Sequence, residues 1–278
     1  MSQPAVMDFD LYLHQLGFEA APAPTLDTLR QLQLRHTSTF AFESLSTLLR
    51  LPVPIDLPAV EQKILRDGRG GYCYELNQMF LALLQYLGFQ ARGITGRVVL
   101  GGSEDALTSR THRLALVTLD GVRYSVDVGF GGMVPTAPLR LDTEAEQVTP
   151  QESYCIVRRD SGYALRAKVM GEWRPMYVFD LQVQGEADYE MGNWYVSTHP
   201  NSPFLGQLKA ALTGDGWRRT LNNGSYAVHH IGQASERRQI SDADELLDLL
   251  QHEFRIRLPQ HPALREVVAQ LLSEPAAV

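Results

Sequence analysis

The feature of this sequence that most constrains its fold is a change in the spacing of apolar residues near residue 90. Before this point, apolar residues recur at helical spacing along one face, at Leu76, Phe80, Leu83, Leu84 and Leu87. Gly88 then provides the left-handed residue that ends a helix. From about Ala91 the runs GRVVL, HRLALVTL and VRYSVDVGF have the composition and spacing of strands. We therefore expect helices first, and then an antiparallel sheet or barrel from about residue 91 to 181.

The two ends of the chain add further helices. DFDLYLHQLGF and TLDTLRQLQLRHTSTF are both helical in pattern, with Thr25 as a possible cap of the second. Near the other end, GSYAVHHIG is strand-like. Two helices are predicted after it. One is SDADELLDLLQHEF, capped by Ser241 or Asp242, and the other is HPALREVVAQLL, with Pro262 in its first turn. The predicted order is helical, then β, then mixed, and 278 residues favour two or three subdomains.

The charge balance argues against a nucleic-acid or anionic-membrane partner. The chain has 25 Lys and Arg residues against 32 Asp and Glu residues, a net charge of −7, without a dense basic block. Its N-terminal residues lack the pattern of a secretory signal, and no apolar run reaches the roughly 18 residues that could span a bilayer. Two cysteines without framework spacing indicate a reducing compartment, so we expect a cytoplasmic protein.

A hairpin at Asp120-Gly121 predicts which residues share a face of the sheet. This dipeptide tolerates a two-residue turn, so Leu119 should face Val122. In that register His112 and Asp127 are diagonal neighbours on one face, about 7–8 Å apart at the backbone. The alternation assigns the following residues to the opposite face: Val122, Tyr124, Val126, Val128 and Phe130.

Cys73 has a setting that suits a nucleophile. It follows Gly70-Gly71 and precedes the predicted helix, whose N-terminus favours a thiolate. With His112 as base and Asp127 as orienting acid, Cys73 would complete a Cys-His-Asp constellation. That Cys73 reaches His112 is a hypothesis at this point. A buried structural thiol, a structural histidine and a zinc site are the alternatives, although no second Cys or His lies at metal-ligand spacing.

Five segments together resemble a known family. The five segments that carry the resemblance are RGGYCYELN, THRLAL, YSVDVGFGG, FAFESL and NWYVSTHPNSPF. The chain resembles the arylamine N-acetyltransferases over a stretch from about Tyr12 to Phe254. The chain is similar to the bacterial type, since it lacks the long insertion of vertebrate members. It departs from many members at Ser44, where they have Asn. Cys155 matches no motif and is expected to be structural.

The resemblance implies an α+β fold of three domains with a core like that of cysteine proteases and transglutaminases. Residues 1–90 would form a helical bundle carrying the nucleophile, and residues 91–190 a β-barrel carrying His112 and Asp127. Residues 191–278 would form an interdomain segment and an α/β lid. The paired residues Arg69 and Glu43 would support the turn before Cys73.

The resemblance also implies a ping-pong acetyl transfer through an acetyl-cysteine at Cys73. Acetyl-CoA would be the co-substrate, with no permanently bound cofactor and no metal. The acceptors would be arylamines, arylhydrazines or N-hydroxyarylamines, as in xenobiotic metabolism, and the protein a monomer or homodimer. The implied acceptor pocket consists of Phe42, Val98, Thr111, Gly129, Phe130 and Phe204. The implied CoA contacts are Gly131, His229 and His230.

Plain core packing is the alternative for each phenylalanine of this pocket, and a simple turn is the alternative for the pair Gly131-Gly132. Two rival functions also remain open at this point. A cysteine hydrolase or a transglutaminase-like enzyme could use the same three residues to pass an acyl group to water or lysine. A non-catalytic binding module could share the fold.

Overall fold

The computed structural model describes residues 7–273. The helices are α1 (Phe9–Gln15), α2 (Leu26–Thr39), α3 (Leu45–Leu48), α4 (Leu57–Val60), α5 (Cys73–Tyr86), α6 (Glu186–Thr198), α7 (Ala243–His252) and α8 (Leu264–Ser273), and a π-helical segment (Glu61–Arg66) follows α4. None of the helices described is both long and apolar enough to cross a membrane.

The long strands of the central region lie where alternation was expected, with additions at β1 and near the C-terminus. They are β1 (Phe42–Glu43), β2 (Gln90–Val98), β3 (His112–Leu119), β4 (Val122–Val126), β5 (Leu139–Arg140), β6 (Gln147–Val148), β7 (Ser153–Arg159), β8 (Gly162–Val169), β9 (Glu172–Phe179), β10 (Lys209–Gly214), β11 (Trp217–Asn222), β12 (Ser225–His230) and β13 (Glu236–Gln239). No pattern considered in the sequence predicts β10, β11 or α6.

Local capping chemistry accounts for several helix ends. The Thr25 hydroxyl accepts from the amide of Thr28 at 3.2 Å, and the Asp242 carboxylate accepts from that of Glu245 at 2.9 Å. Gly88 takes a φ of 86° just after α5. Pro262 is not in the first turn of α8 as expected, because the chain forms a separate turn there and α8 begins at Leu264.

Eight strands form an antiparallel sheet in the order β5-β4-β3-β2-β9-β8-β7-β6. The β3–β4 hairpin has the predicted register, from Leu119 opposite Val122 to Ala115 opposite Val126. Gln147 joins the two sheet edges, donating to the carbonyl of Arg140 at 3.0 Å and accepting from its amide at 2.8 Å. The sheet is therefore a nearly closed barrel, and the fold is α+β as expected.

Strand β3 is buried on both sides, which explains its nearly continuous apolar sequence. Leu114 and Leu116 pack inside the barrel, whereas Ala115 and Val117 belong to the cluster formed with α5 and the other N-terminal helices. His112 has the same parity as Leu114 and lies at the start of the strand. The strand thus connects the barrel interior with the helix that begins at Cys73.

A second sheet, in the order β1-β10-β11-β12-β13, joins distant parts of the chain. In it Phe42 pairs with Ala211, and Phe42 also forms a parallel bridge with Gly71. Residues of α3 pack with α7 and α8 in the C-terminal core. The first 90 residues therefore contribute to two hydrophobic cores, and the turn before Cys73 is tied to the C-terminal sheet.

Candidate active site

Cys73 is the first residue of α5, where the helix leaves backbone amides unpaired. The Glu75 carboxylate caps the helix by accepting from the amide of Tyr72 at 3.1 Å. Among the described residues, the amides of Cys73 and Tyr74 donate to no acceptor. The Cys73 side chain is buried, with only 4% of the residue exposed. Its sulfur therefore lies at the positive end of a helix, in a site with little water.

His112 and Asp127 form a buried ion pair, with His112 Nε2 at 2.6 Å from Asp127 Oδ2. Burial by itself would lower the pKa of His112. The charge and hydrogen bond of Asp127, together with the neighbouring Cys73 side chain, nevertheless raise that pKa to about 10. The imidazole is therefore held as a cation at neutral pH. Because Asp127 occupies Nε2, the Nδ1 atom is the ring nitrogen available to Cys73.

Asp127 is surrounded by hydrogen-bond donors. The Tyr177 hydroxyl donates to Oδ2 at 3.0 Å, and the Asn77 amide and the Gly129 backbone each donate to Oδ1 at 2.9 Å. Burial would raise the pKa of this carboxyl, but His112 and the donors hold it below its ordinary value. Asp127 is thus kept ionised within the protein interior.

Asn77 connects the helix of Cys73 to the barrel, and the sequence reasoning did not identify it. Its amide also donates to the carbonyl of Arg113 at 2.7 Å and accepts from the amide of Val128 at 3.0 Å. The sequence did contain a signal for Asn77, because it is a polar residue one helical turn after Cys73 on an otherwise apolar face. Gln33, also buried, donates to the carbonyl of Asp127 at 3.1 Å and was likewise missed.

The structure brings Cys73, His112 and Asp127 together in one cluster. The Cys73 sulfur lies 3.7 Å from the carbonyl oxygen of Thr111, the residue that precedes His112. A Cβ atom at Gly129 would lie only 2.8 Å from the Cα atom of Cys73. The close approach of the two backbones therefore requires a glycine at this position.

Aromatic residues from the expected acceptor pocket lie around this cluster. The Phe130 ring is 5.1 Å from that of His112, and the Phe204 ring is 6.0 Å from those of Phe42 and Tyr72. Strand alternation predicted that Phe130 lies on the face opposite Asp127, and this prediction is wrong. Strand β4 ends at Val126, and the chain then bends, so the alternation no longer applies.

The remaining predicted residues lie farther from the cluster. Val98 pairs with Tyr177 at the end of β2, and a Cβ atom at Gly131 would lie 3.4 Å from the Phe42 ring. His229 hydrogen-bonds with Thr220 at 3.2 Å and Ser235 at 2.7 Å, and burial with nearby Arg218 and Arg237 lowers its pKa to about 4. His230 pairs through its backbone with Trp217. No described hydrogen bond or ring contact joins either histidine to Cys73, His112 or Asp127.

Glu43 and Arg69 support the turn before Cys73. The Arg69 guanidinium donates to Glu43 at 2.7 Å, and the other Glu43 oxygen accepts from the amide of Leu45 at 2.5 Å. Burial would raise the pKa of Glu43, but Lys63 and Arg69 hold it below its ordinary value. A Cβ atom at Gly70 would lie 2.2 Å from the carbonyl oxygen of Ala41, so the turn also requires a glycine there.

Cys155 lies apart from this site, within β7, where burial raises its thiol pKa. Across residues 7–273, no group of three or more His, Cys, Asp or Glu side chains is placed to hold a metal ion.

Comparisons with known proteins identify the family of this chain. The chain matches a family model described as N-acetyltransferase over residues 25–263. It is 39% identical to an arylamine N-acetyltransferase of Mycolicibacterium smegmatis over 256 residues, which are 91% of this chain and 93% of that protein. It is 38% identical to a Salmonella typhimurium protein named arylamine N-acetyltransferase / N-hydroxyarylamine O-acetyltransferase, over 87% of this chain and 86% of that protein. The structure of a Mycobacterium marinum arylamine N-acetyltransferase in complex with CoA superposes with a TM-score of 0.88 at 38% identity, covering 95% of this chain and 98% of that one.

Proposed function

Because this chain belongs to the arylamine N-acetyltransferase family, we propose that it transfers the acetyl group of acetyl-CoA to the nitrogen of an aromatic amine or hydrazine. The transfer proceeds by a ping-pong sequence through an acetyl-cysteine at Cys73. The observation that carries this proposal is the position of the Cys73 sulfur, 3.7 Å from the carbonyl oxygen of Thr111 and next to a His112 ring that is bound to Asp127.

In the first step the Cys73 thiolate attacks the carbonyl carbon of the acetyl thioester. The carbon–sulfur bond to CoA breaks, and the departing CoA sulfur takes a proton from the His112 imidazolium. The unpaired amides of Cys73 and Tyr74 are the proposed donors to the oxygen that becomes negative in this step. One thioester replaces another, so the step is nearly balanced in free energy.

In the second step the amine nitrogen attacks the acetyl-cysteine. Neutral His112 takes the amine proton while the Cys73 sulfur leaves as a thiolate, which returns both residues to the forms in which the first step began. An amide replaces a thioester, so this step runs downhill. Asp127 holds the His112 ring through Nε2 during both steps.

We propose that six residues line the acceptor site: Phe42, Val98, Thr111, Gly129, Phe130 and Phe204. The ring contacts of Phe130 with His112 and of Phe204 with Phe42 support this assignment, because a flat apolar acceptor needs aromatic walls. Gly131, His229 and His230 are proposed to meet CoA. His229 hydrogen-bonds with Thr220, whose methyl group lies 2.8 Å from where a Cβ atom of Gly132 would be.

We also propose a division of the fold into three domains. We assign residues 1–90, 91–190 and 191–278 to a helical bundle, a barrel, and an interdomain segment with lid, around a core like that of cysteine proteases.

We also propose O-acetylation of N-hydroxyarylamines, which the name of the Salmonella relative supports. Both cysteines are free thiols, which fits a cytoplasmic location.

Acetyl-CoA turnover tests the proposal. Without an amine, we expect one CoA thiol released per chain and one acetyl group on the peptide that contains Cys73, measured by thiol titration and mass spectrometry. With an aromatic amine, release should become continuous and yield the acetylated amine. Cys73→Ser should abolish both, whereas Cys155→Ser should leave both intact. Continuous release without amine would support a hydrolase instead.

A further inference from the structure

A second cavity lies on the far side of the turn that precedes Cys73. Its volume is about 320 Å³, and four arginines line it: Arg66, Arg69, Arg255 and Arg257. Gly68 and Gly70 of the turn also line it, whereas Cys73, His112 and Asp127 do not. We call this cavity the arginine pocket.

The positive charge of the arginine pocket is only partly compensated. Arg66 pairs with Asp8 and Glu61, and Arg69 pairs with Glu43. Within residues 7–273, no carboxylate lies within 4.0 Å of the side-chain nitrogens of Arg255 or Arg257. No Asp or Glu lines the cavity, although the chain as a whole has a net charge of −7. Two guanidinium charges are therefore left uncompensated in one concave site.

Another cavity of equal volume also contains arginines, but their positive charge is compensated. It lies at the barrel and contains Arg97, Arg110 and Arg159. Its lining also includes three acids, Glu104, Asp105 and Asp180; Arg159 pairs with the first two and Arg110 with Asp180. Because its arginines and acids are balanced in number, that cavity has no comparable excess of positive charge.

Several donors of the arginine pocket are fixed in place. Arg69 is held by Glu43 through Nε and Nη2, and its side chain is only 9% exposed, while its Nη1 donates to no described acceptor. The stem of Arg257 packs over Gly68, and its backbone amide donates to the Gly68 carbonyl at 2.9 Å. The amides of Gly68 and Gly70 also lack an acceptor among the described residues. Fixed donors lose little entropy when a ligand binds.

We propose that the arginine pocket binds a small molecule through a pyrophosphate group. Guanidinium groups recognise phosphate oxygens in pairs, and two linked phosphates provide enough acceptors for Arg255, Arg257 and the free nitrogen of Arg69 together. A volume of about 320 Å³ is near the lower end for ligand sites. Inorganic pyrophosphate and a nucleoside diphosphate share this chemistry, and the experiment separates them.

The test is isothermal titration of the full chain with inorganic pyrophosphate, ADP and inorganic phosphate, each without and with saturating CoA. We expect pyrophosphate to bind in the presence of CoA, to bind more tightly than phosphate, and to weaken as salt is added. Equal affinity for pyrophosphate and ADP would identify the pyrophosphate group as the whole ligand. Tighter binding of ADP would indicate that the nucleoside adds contacts.

The double variant Arg255→Gln with Arg257→Gln should raise the Kd for pyrophosphate at least about tenfold, because two charge-assisted contacts are lost. The matched control is Arg158→Gln, an exposed arginine of β7 that lines neither cavity, which should leave the Kd unchanged. Both variants change exposed side chains, and their thermal unfolding verifies that they fold.

Three results would overturn the proposal: displacement of pyrophosphate by CoA, a double variant that binds as tightly as the natural chain, or phosphate binding as tightly as pyrophosphate. None of these measurements uses acetyl transfer. If the arginine pocket does not bind pyrophosphate, the proposed acetyl transfer is unaffected. If acetyl transfer is not observed, the proposal for the arginine pocket is unaffected.

Discussion

At the scale of single residues, the chemistry of the site depends on how Asp127 is held. Three donors and the His112 ring surround this carboxylate, which stays ionised although it is buried. The charge of Asp127 in turn keeps His112 protonated, and His112 lies against Cys73. The sequence predicted that Asp127 and His112 share a face, but among the donors that keep the acid charged only Asn77 left a signal, as a polar residue on an apolar helix face.

Replacing Asp127 by Asn should lower kcat/KM for acetyl transfer by at least about 100-fold. The amide keeps the shape but loses the charge that holds His112 protonated and correctly oriented. Steady-state kinetics with acetyl-CoA and an aromatic amine measures this effect. The control Asp160→Asn changes an exposed loop aspartate and should have no effect. Activity within threefold of the natural enzyme would show that Asp127 does not act through His112.

The pKa of His112 predicts how stability changes with pH. It lies near 6.5 in the unfolded chain and about 10 in the folded protein, so protonated His112 favours the folded state. This contribution is complete below pH 6.5, falls as the pH rises, and is lost above about pH 10. The free energy of unfolding of the natural chain, relative to His112→Gln, should therefore decrease over this range in urea titrations.

The exposed residue His14 provides the control for this pH dependence. The difference between the natural chain and His14→Gln, measured in the same way, is the reference for an exposed histidine. A difference for His112→Gln that does not decrease over this range would mean that the pKa of His112 is not raised in the folded protein.

Replacing Gly129 by Ala should reduce both stability and activity. The new methyl group would lie 2.7 Å from Asn77 Nδ2 and 2.8 Å from the Cα atom of Cys73, so the strand end and α5 must separate. We expect a loss of about 1–3 kcal/mol in the free energy of unfolding, as for other overpacked sites. Gly102→Ala, whose methyl group would lie 3.5 Å from its nearest neighbour, is the control and should be nearly neutral. Equal stabilities of the two variants would contradict the close approach.

At the scale of secondary-structure elements, the turn between the π-helical segment and α5 determines where Cys73 lies. The turn is bridged to β1 through Phe42 and Gly71, and Glu43 of β1 binds Arg69 of the turn. The sequence predicted the helix and the position of Cys73 within it. It did not predict β1, because a strand of two residues has no measurable alternation.

Replacing Glu43 by Gln should destabilise the protein strongly. Arg69 would keep its charge in a site where its side chain is 9% exposed, without a carboxylate to balance it. The expected loss is about 3 kcal/mol in the free energy of unfolding, measured by urea titration. Glu172→Gln removes an exposed pair with Arg174 and should cause no measurable loss. A loss no greater than that of this control would show that the Glu43–Arg69 pair does not stabilise the turn.

At the scale of the whole molecule, Arg218 links the C-terminal sheet to the barrel. It extends from β11 to the carboxylate of Glu152 at 2.9 Å and to the carbonyl of Gly132 at 2.6 Å, in a largely buried position. The same interface includes Gln151, which donates to the carbonyl of Gly214. Gly132 follows the loop of Phe130 and Gly131, so this link also supports one side of the proposed site.

Replacing Arg218 by Met should lower the free energy of unfolding by about 1–3 kcal/mol, because Glu152 loses its partner in a partly buried site. Arg238→Met is the control, since its pair with Glu245 is exposed and lies within the C-terminal part. If thermal unfolding showed equal Tm values for the two variants, Arg218 would not be a link between the two sheets.

The sequence by itself determined the features that depend on neighbouring residues. The register of the β3–β4 hairpin follows from Asp120-Gly121, the ends of α2 and α7 from their caps, and the place of Cys73 from the helix that follows it. Turn chemistry, capping and side-chain periodicity act over a few residues, so each can be predicted without knowing the fold.

Only the tertiary structure decided which of these parts meet. Several contacts join residues far apart in the chain. They are the approach of Cys73 to Thr111 beside His112, the bonds of Asn77 and Gln33 around Asp127, and the pairing of Phe42 with Ala211. The position of Phe130 likewise depended on where β4 ends. Such contacts depend on how whole elements pack, and the pattern of a single segment carries no information about its partner.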